Sequence, residues 1–280
     1  MKIVVIGMGY WGRIHIDKLI HLNVFDGACD IETDFNAFIK RKNPDGVVIA
    51  TNSISHFPIA KSCIKRDISV YVEKPIATEI DQIAQYDRML KKYDVRFQAG
   101  FQMLYDPIIQ AHKKNGTRLM SMFRLSGRYR NESVVQTLMI HDIAIANYIF
   151  NATAQIGDTW GSLSEVNVNL RYPLKVATMT DSFREGRLTK EGTIIETRHA
   201  VLHSRYDIPK FRQISFLDNK GQLKAQSFDN SERPDLLTKS LVDWLESIKT
   251  GRNDNLINYQ FARNVQRTVF KIERKIGLRN

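Results

Sequence analysis

Lys2-Ile3-Val4-Val5-Ile6-Gly7-Met8-Gly9-Tyr10-Trp11-Gly12 is the stretch that decides the fold. Residues 2–6 form a short apolar run rich in β-branched side chains, which reads as a buried strand. The run stops at Gly7, and residues 13–22 follow with helical spacing. A G-x-G-x-x-G between a strand and a helix is the setting of a dinucleotide-binding turn. Gly7 permits the tight turn, Gly9 lets the backbone approach a pyrophosphate, and Gly12 lets helix and strand pack closely. The helix N-terminus after the turn offers free N–H groups and a positive dipole end to the phosphates, and Tyr10 and Trp11 of the motif are expected cofactor contacts. The motif calls for an acidic residue about 20 positions on, to hold the adenosine ribose. Asp30 lies 18 residues after Gly12, at the end of the next strand candidate, with Asp26 as its competitor. An acid there repels a 2′-phosphate, so of NAD or NADP the pattern favours NAD. Arg13, Arg41 and Lys42 could still accommodate the phosphate.

Outward from this motif, residues 1–100 alternate strands and helices. Strands are expected at 25–31, 46–50, 69–72 and 96–99. Helices are expected from Thr33 or Asp34 to Lys42, at 57–66 and at 79–93. Such alternation predicts a parallel sheet with helices on both faces. Only 15 residues (31–45) separate the second strand from the third. That gap holds one crossover helix and no more, so the sheet is expected to be shortened by one strand and one helix. Beyond residue 118 longer strands follow, at 119–130, 165–172, 176–183, 193–205, 211–217 and 222–228. Asn219-Lys220-Gly221 marks a turn between the last two. Without parallel crossovers this second sheet is expected to be open and mainly antiparallel. A helix spans 135–150, and helices at 236–249 and 259–276 close the chain, with Gly251 ending the first of them. The expected architecture is α/β. A Rossmann-type domain covers 1–117 and an α+β substrate-binding and oligomerisation domain covers 118–280. The C-terminal segment is the candidate to return a final helix to the first domain.

Composition excludes several classes. The 280 residues are 43% hydrophobic and 25% charged, as in an ordinary soluble globular protein. No apolar run reaches the length of a membrane span, and the apolar start is too short for a secretory signal. Cys29 and Cys63 make neither a disulfide framework nor a metal motif. A cytoplasmic protein without a metal is expected. The net charge is +11. Its densest part is the last helix (Arg263, Arg267, Lys271, Arg274, Lys275, Arg279), where no aromatic residues interleave as on a base-stacking platform. A solvated basic face is the reading, with attraction of anionic substrates behind it; neither nucleic acid nor membrane is an expected partner.

The second chemical cluster is Val70-Tyr71-Val72-Glu73-Lys74-Pro75. It puts a lysine directly after a strand, and ligands of open parallel sheets bind at the carboxyl ends of strands. Pro75 fixes the turn. Lys74 could hydrogen-bond a substrate hydroxyl and stabilise charge developing on its oxygen. On spacing alone an ordinary surface lysine remains the competing reading. The pair Ser53 and His56 has no nucleophile-elbow context, so nucleophilic catalysis is not expected.

The chain resembles the glucose–fructose oxidoreductase/inositol dehydrogenase (Gfo/Idh/MocA) family. The resemblance rests on Gly7–Gly12, Val48-Ile49-Ala50-Thr51 with His56, Glu73-Lys74-Pro75, and Gly100-Phe101 with Pro107. It rests also on His141-Asp142-Ile143 and on residues 241–251. Gly9–Gly12 and Cys29-Asp30-Ile31 look most like members acting on nucleotide-linked sugars, such as UDP-N-acetylglucosamine 3-dehydrogenases. The resemblance implies an oxidoreductase that transfers a hydride between nicotinamide and a carbinol or carbonyl carbon of a sugar, sugar nucleotide or polyol. It implies Lys74 and His141 as catalytic residues. Thr51, Asn52 and His56, with Glu73 beside them, would flank the nicotinamide half, and Gly7, Gly9, Gly12 and Asp30 would contact pyrophosphate and ribose. The open sheet would form a homodimer or homotetramer interface.

The chain also departs from that pattern. Thr137 stands where many members carry an aspartate one helical turn before the histidine, and it is the expected substrate neighbour of His141. Leu104 stands where an arginine is common; Arg124, Arg128 or Arg130 could compensate, with Arg128 the expected substrate contact. Without the resemblance, His141 on the apolar helix of Leu138, Met139, Ile140 and Ile143 reads as a core residue. His15 reads as structural, and Tyr105 and Tyr129 as packing residues first and candidate proton donors second. These departures motivate the alternative of a dinucleotide-binding member with lost or reduced catalysis, acting as a binding or regulatory protein.

Overall fold

A computed structural model describes residues 1–30, 33–114, 119–126, 132–183, 191–195, 213–217, 222–227 and 235–279. In chain order its elements are β1 (Ile3–Ile6), α1 (Tyr10–His21), β2 (Phe25–Cys29), α2 (Phe35–Lys42), β3 (Gly46–Ile49), α3 (Ser53–Ile64), β4 (Ser69–Val72), α4 (Ile80–Lys92) and β5 (Phe97–Ala99). A 3₁₀ turn (Gln102–Tyr105) and α5 (Pro107–Lys114) lead to β6 (Leu119–Ser126). A π-helical turn (Val135–Met139) runs directly into α6 (Ile140–Phe150). Then come β7 (Gln155–Gly161), β8 (Glu165–Tyr172), β9 (Lys175–Phe183), β10 (Glu191–Ile195), β11 (Gln213–Leu217), β12 (Leu223–Ser227), α7 (Leu236–Thr250) and α8 (Tyr259–Lys275). The predicted turn at 219–221 lies outside the described residues.

The chain divides into two units. One comprises Met1–Gln102 with Asp235–Gln266, the other Met103–Pro234 with Arg267–Asn280. The sequence reading puts the division at 117/118. The early division follows from residues 103–114, which extend the second unit. The C-terminal segment returns α7 to the first unit.

In the first unit five parallel strands stand in the order β2-β1-β3-β4-β5. One helix, α2, crosses from β2 to β3, so the sheet carries one strand fewer on that side than a full dinucleotide-binding sheet. α2 begins where Asp34 accepts the N–H groups of Asn36 and Ala37 at 3.0 and 3.2 Å, an N-cap worth about 1 kcal/mol. β1, β3 and β4 are buried throughout, as expected for strands covered on both faces. The core on one face gathers Ile3, Val5, Leu19, Val48 and Tyr71 against Leu237, Leu241 and Trp244 of α7. Trp244 is fully buried, and its indole N–H donates to the Arg96 carbonyl at 3.2 Å. The segment after α7 pairs with the edge strand: the Ala99 N–H donates to the Ile257 carbonyl at 3.1 Å, and the Asn255 amide to the Phe97 carbonyl at 3.1 Å. The free edge is thereby covered.

In the second unit five strands stand in the order β10-β6-β9-β8-β7, and β11 and β12 form a separate hairpin. Three pairings of the larger sheet are antiparallel. β6 and β9 pair in parallel, Leu119 against Val176 through Ser126 against Phe183. The expected absence of parallel crossovers is therefore corrected. Residues 135–150 and the β7–β8 hairpin together form the crossover that brings β9 back beside β6. β8 alternates: Val166, Val168, Leu170 and Tyr172 are buried, while Glu165, Asn167, Asn169 and Arg171 face outward or sit half-covered. Phe150 of α6 packs edge-on against Tyr172, whose hydroxyl donates to Asn147 at 2.9 Å. On the other face Thr180 donates to Asn167 at 2.7 Å across the strands.

Candidate active site

The first unit places its predicted site residues along one edge of the sheet. Parallel pairing of β2-β1-β3-β4 brings their carboxyl ends into line. In that order they carry Asp30, the glycine turn, Thr51 with Asn52, and Lys74. Three strand spacings, about 14 Å, is the scale of an extended dinucleotide. The strand order reverses between β1 and β3, which is where open α/β sheets bind their ligands.

Each part of the glycine turn has a visible reason. Gly7 has a φ of +99°, and a Cβ there would lie 2.6 Å from the Ala50 carbonyl oxygen. A Cβ on Gly12 would overlap the Gly7 carbonyl oxygen. Gly9 is the N-cap of α1, supplies no side-chain cap, and has nothing within 4 Å of where a Cβ would stand. The start of α1 is thus an uncapped helix end facing open space, which fits a phosphate. Tyr10 and Trp11 stand exposed beside it, their rings edge to face at 5.7 Å.

Asp30 follows the last residue of β2 and is exposed. Asp26 lies at the other end of that strand and pairs with Lys42 at 3.7 Å. Of the two, Asp30 is the one at the carboxyl end of β2. Asn52 caps α3 by accepting the Ser55 N–H and hydroxyl at 3.1 and 2.8 Å, and Thr51 is half-buried. The His56 ring points inward. Its Nδ1 lies 2.8 Å from the Pro75 carbonyl oxygen and its Nε2 3.1 Å from that of Thr51. Burial holds His56 below the usual histidine range. Glu73 is also buried, its carboxylate 2.8 Å from Nε2 of the fully buried His15. Lys74, joined to Pro75 by a cis peptide bond, is the one residue from Ile68 to Ala77 that is not buried. The role of His15 is not visible in its local sequence. The available signal was a polar residue on the buried face of α1, shared with Gly12 and Leu19, because such a group must find a partner.

The remaining predicted site residues belong to the second unit. His141 is the second residue of α6 and the one residue from Ser133 to Phe150 that is not buried. Thr137 lies within the π-helical turn, whose wider i→i+5 winding replaces the single α-helical turn expected between Thr137 and His141. It is buried, and its hydroxyl donates to the Ser133 carbonyl at 2.9 Å. The turn is anchored from α8. The buried Glu273 carboxylate accepts from the Ser133 hydroxyl and, at 3.1 Å each, from the Gln136 amide and the Arg279 guanidinium. Leu104 is fully buried and fills space in the 3₁₀ turn. Arg128, Tyr129 and Arg130 lie outside the described residues.

Both cysteines are free and buried. Burial, and then the Asp30 carboxylate, push Cys29 up to about 11, and burial pushes Cys63 up to about 12, so neither is a nucleophile at neutral pH. Among the described residues no three His, Cys, Asp or Glu side chains gather to hold a metal ion, and no helix is long and apolar enough to cross a membrane.

Residues 24–101 match the GFO_IDH_MocA family model, described as an oxidoreductase family with an NAD-binding Rossmann fold. The myo-inositol 2-dehydrogenase of Thermotoga maritima is 26% identical over 269 residues, covering 81% of this chain and 75% of that one. The inositol 2-dehydrogenase/D-chiro-inositol 3-dehydrogenase of Lacticaseibacillus casei is 24% identical over 267 residues, covering 81% and 73%. In fold, the chain superposes on the UDP-N-acetylglucosamine 3-dehydrogenase of Acidithiobacillus ferrooxidans with a TM-score of 0.83 at 17% identity, over 99% of this chain and 98% of that one.

Proposed function

We propose that the chain is a member of the Gfo/Idh/MocA family and an NAD(P)-dependent dehydrogenase acting on a carbinol carbon of a sugar, sugar nucleotide or related polyol. The observation that carries this reading is Lys74, the single residue of Ile68–Ala77 left partly open, at the carboxyl end of a strand in line with the glycine turn. The inositol dehydrogenases among its relatives support the substrate class. Gly7, Gly9 and Gly12, with the N–H groups of Tyr10 and Trp11, would hold the pyrophosphate. Asp30 would hold the adenosine ribose and favour NAD over NADP. Thr51 and Asn52 would border the nicotinamide end.

Oxidation of a carbinol removes a hydride from carbon and a proton from oxygen. Nicotinamide, when bound, supplies the hydride acceptor. Lys74 Nζ donates a hydrogen bond to the substrate oxygen and stabilises the charge that develops there. The His141 imidazole is the proposed proton acceptor. Arg128 is the proposed substrate anchor. We place the protein in the cytoplasm as a homo-oligomer assembled through the second sheet, which light scattering on the purified protein tests.

A second reading, retained dinucleotide binding with reduced catalysis, is favoured by Thr137, whose hydroxyl is committed to the Ser133 carbonyl. One experiment separates the two. NADH and NADPH are titrated by fluorescence transfer from protein to nicotinamide. Oxidation of a panel of inositols, aldoses and UDP-sugars is then followed in wild type and Lys74→Ala. The dehydrogenase reading expects turnover that falls about 10²- to 10⁴-fold in the variant, with NADH affinity little changed. Binding without turnover supports the second reading. Absence of binding at millimolar nucleotide, or turnover indifferent to Lys74, overturns the first.

A further inference from the structure

We infer that His15 and His56 are positioning residues for Lys74, clamping its turn from both sides and tying it to the two loops that border the cofactor. The inference rests on the proposed role of Lys74. Glu73 immediately precedes the lysine, and its carboxylate receives His15 Nε2 at 2.8 Å. Pro75 immediately follows it, and its carbonyl lies 2.8 Å from His56 Nδ1. His15 belongs to α1, which opens at the glycine turn. His56 belongs to α3, which opens at Asn52.

Both clamps are built into closed surroundings. His15 is fully buried, with its ring edge-on to Tyr71 at 5.2 Å. The Tyr71 hydroxyl is in turn 3.1 Å from Ser240. Glu73 fits because position 100 is glycine, where a Cβ would collide with the carboxylate. The backbone N–H of Glu73 is held by the Ile49 carbonyl at 3.0 Å. His56 is 2% exposed, and its Nε2 lies 3.1 Å from the carbonyl of Thr51, the residue at the end of the other cofactor loop. Lys74 is thus the one partly open residue of a turn whose neighbours on both sides are held by hydrogen bonds. Preorganisation of this kind matters because a misplacement of about 1 Å in a reacting group can cost about 10²-fold in rate.

The geometry makes an atom-specific test possible. His15 acts through Nε2, which a glutamine amide nitrogen reproduces; His56 acts through Nδ1, which an asparagine amide nitrogen reproduces. Each histidine is replaced by Leu, Asn and Gln in the full chain, and folding is checked by circular dichroism. Three quantities are read: NADH affinity, inositol oxidation, and acetylation of Lys74 by acetic anhydride relative to the exposed Lys91, by peptide mass spectrometry. The clamp expects His15→Leu and His56→Leu to lower kcat about 10²-fold, with NADH affinity within about threefold. The Lys74/Lys91 labelling ratio should shift severalfold. His15→Gln and His56→Asn should recover most of the loss, while His15→Asn and His56→Gln should not. If the leucine variants do not fold, the Asn and Gln pairs decide by the same pattern. Equal behaviour of Asn and Gln at both positions, or unchanged labelling and turnover in folded variants, overturns the clamp. If wild type oxidises nothing in the panel, the dehydrogenase reading falls, and the labelling ratio alone still decides whether these histidines position Lys74.

Discussion

The turn that carries Lys74 and the helix that carries His141 share one feature and differ in another. Each leaves a single polar side chain partly open in an otherwise buried run, Ile68–Ala77 in one unit and Ser133–Phe150 in the other. Both runs are braced by buried polar contacts. The braces around Lys74 come from α1 and α3, at sequence separations of 58 and 19 residues. Those helices begin at the motifs that announce the fold. The brace before His141 comes from the C-terminal helix, at separations of 140 and 137. A site built by helices that open at its own loops is legible locally. A site braced from the far end of the chain is not.

The largest expected effect tests the distant brace. Glu273→Ala removes the one carboxylate that receives the Ser133 hydroxyl, the Gln136 amide and the Arg279 guanidinium. Leaving buried donors and a partly buried cation without that acceptor costs about 3 kcal/mol. The urea midpoint should fall, and hydrogen exchange should quicken in peptides covering 133–150. NADH affinity, whose proposed contacts belong to the other unit, should hold. An unchanged midpoint, with exchange at 133–150 as in wild type, would show that the π-helical turn stands without α8.

Acid should open the second unit next. Burial pushes His112 down to about 4 from an ordinary 6.5. The unfolded chain therefore binds a proton that the folded chain refuses as pH falls through 6.5, and stability declines until about pH 4. At pH 5 this amounts to about 2 kcal/mol. His56 of the first unit is shifted the same way by burial, so the first unit shares the direction. His112→Gln should flatten the fall in melting temperature between pH 7 and pH 5. A slope as steep as wild type would assign the acid sensitivity elsewhere.

What the sequence reveals follows the same division. The β1–glycine–α1 start, the alternation to residue 100, the Asp34 cap and the shortened sheet rest on neighbours close in the chain. Element ends differ by a few residues: α1 starts at Tyr10, three residues before the apolar spacing shows it, because its first turn is exposed. β7 is hidden because Gln155–Gly161 is an edge strand with two glycines, an irregular register between Ile156 and Thr159, and an exposed Trp160. Such a strand lacks the period-2 apolar pattern that a half-buried strand shows. α5 is short and follows a 3₁₀ turn. The parallel β6–β9 pairing depends on how a crossover of helix and hairpin closes, which no window of sequence contains. At the candidate site, the places of Lys74, Asp30 and the glycine turn at strand ends can be read from motif and spacing. The inward turn of His56 and the partnership of His15 with Glu73 cannot, since both depend on which faces the helices bury.

The smallest expected effect concerns the position where the chain departs from the family pattern it resembles. Thr137 is 4% exposed, and its hydroxyl donates to Ser133. That same carbonyl already accepts the backbone N–H groups of Gln136 and Thr137 at 3.1 Å each. Thr137→Val keeps the branched shape and removes one redundant donor, so the cost should be about 1 kcal/mol or less. If the hydroxyl serves only the π-helical turn, turnover of the inositol panel should stay within about threefold of wild type, because His141 keeps its place. A tenfold or larger fall in kcat/KM, with the melting temperature unchanged, would instead put Thr137 on the substrate. The two sites would then no longer differ in kind, since the second would expose two working groups where the first exposes one.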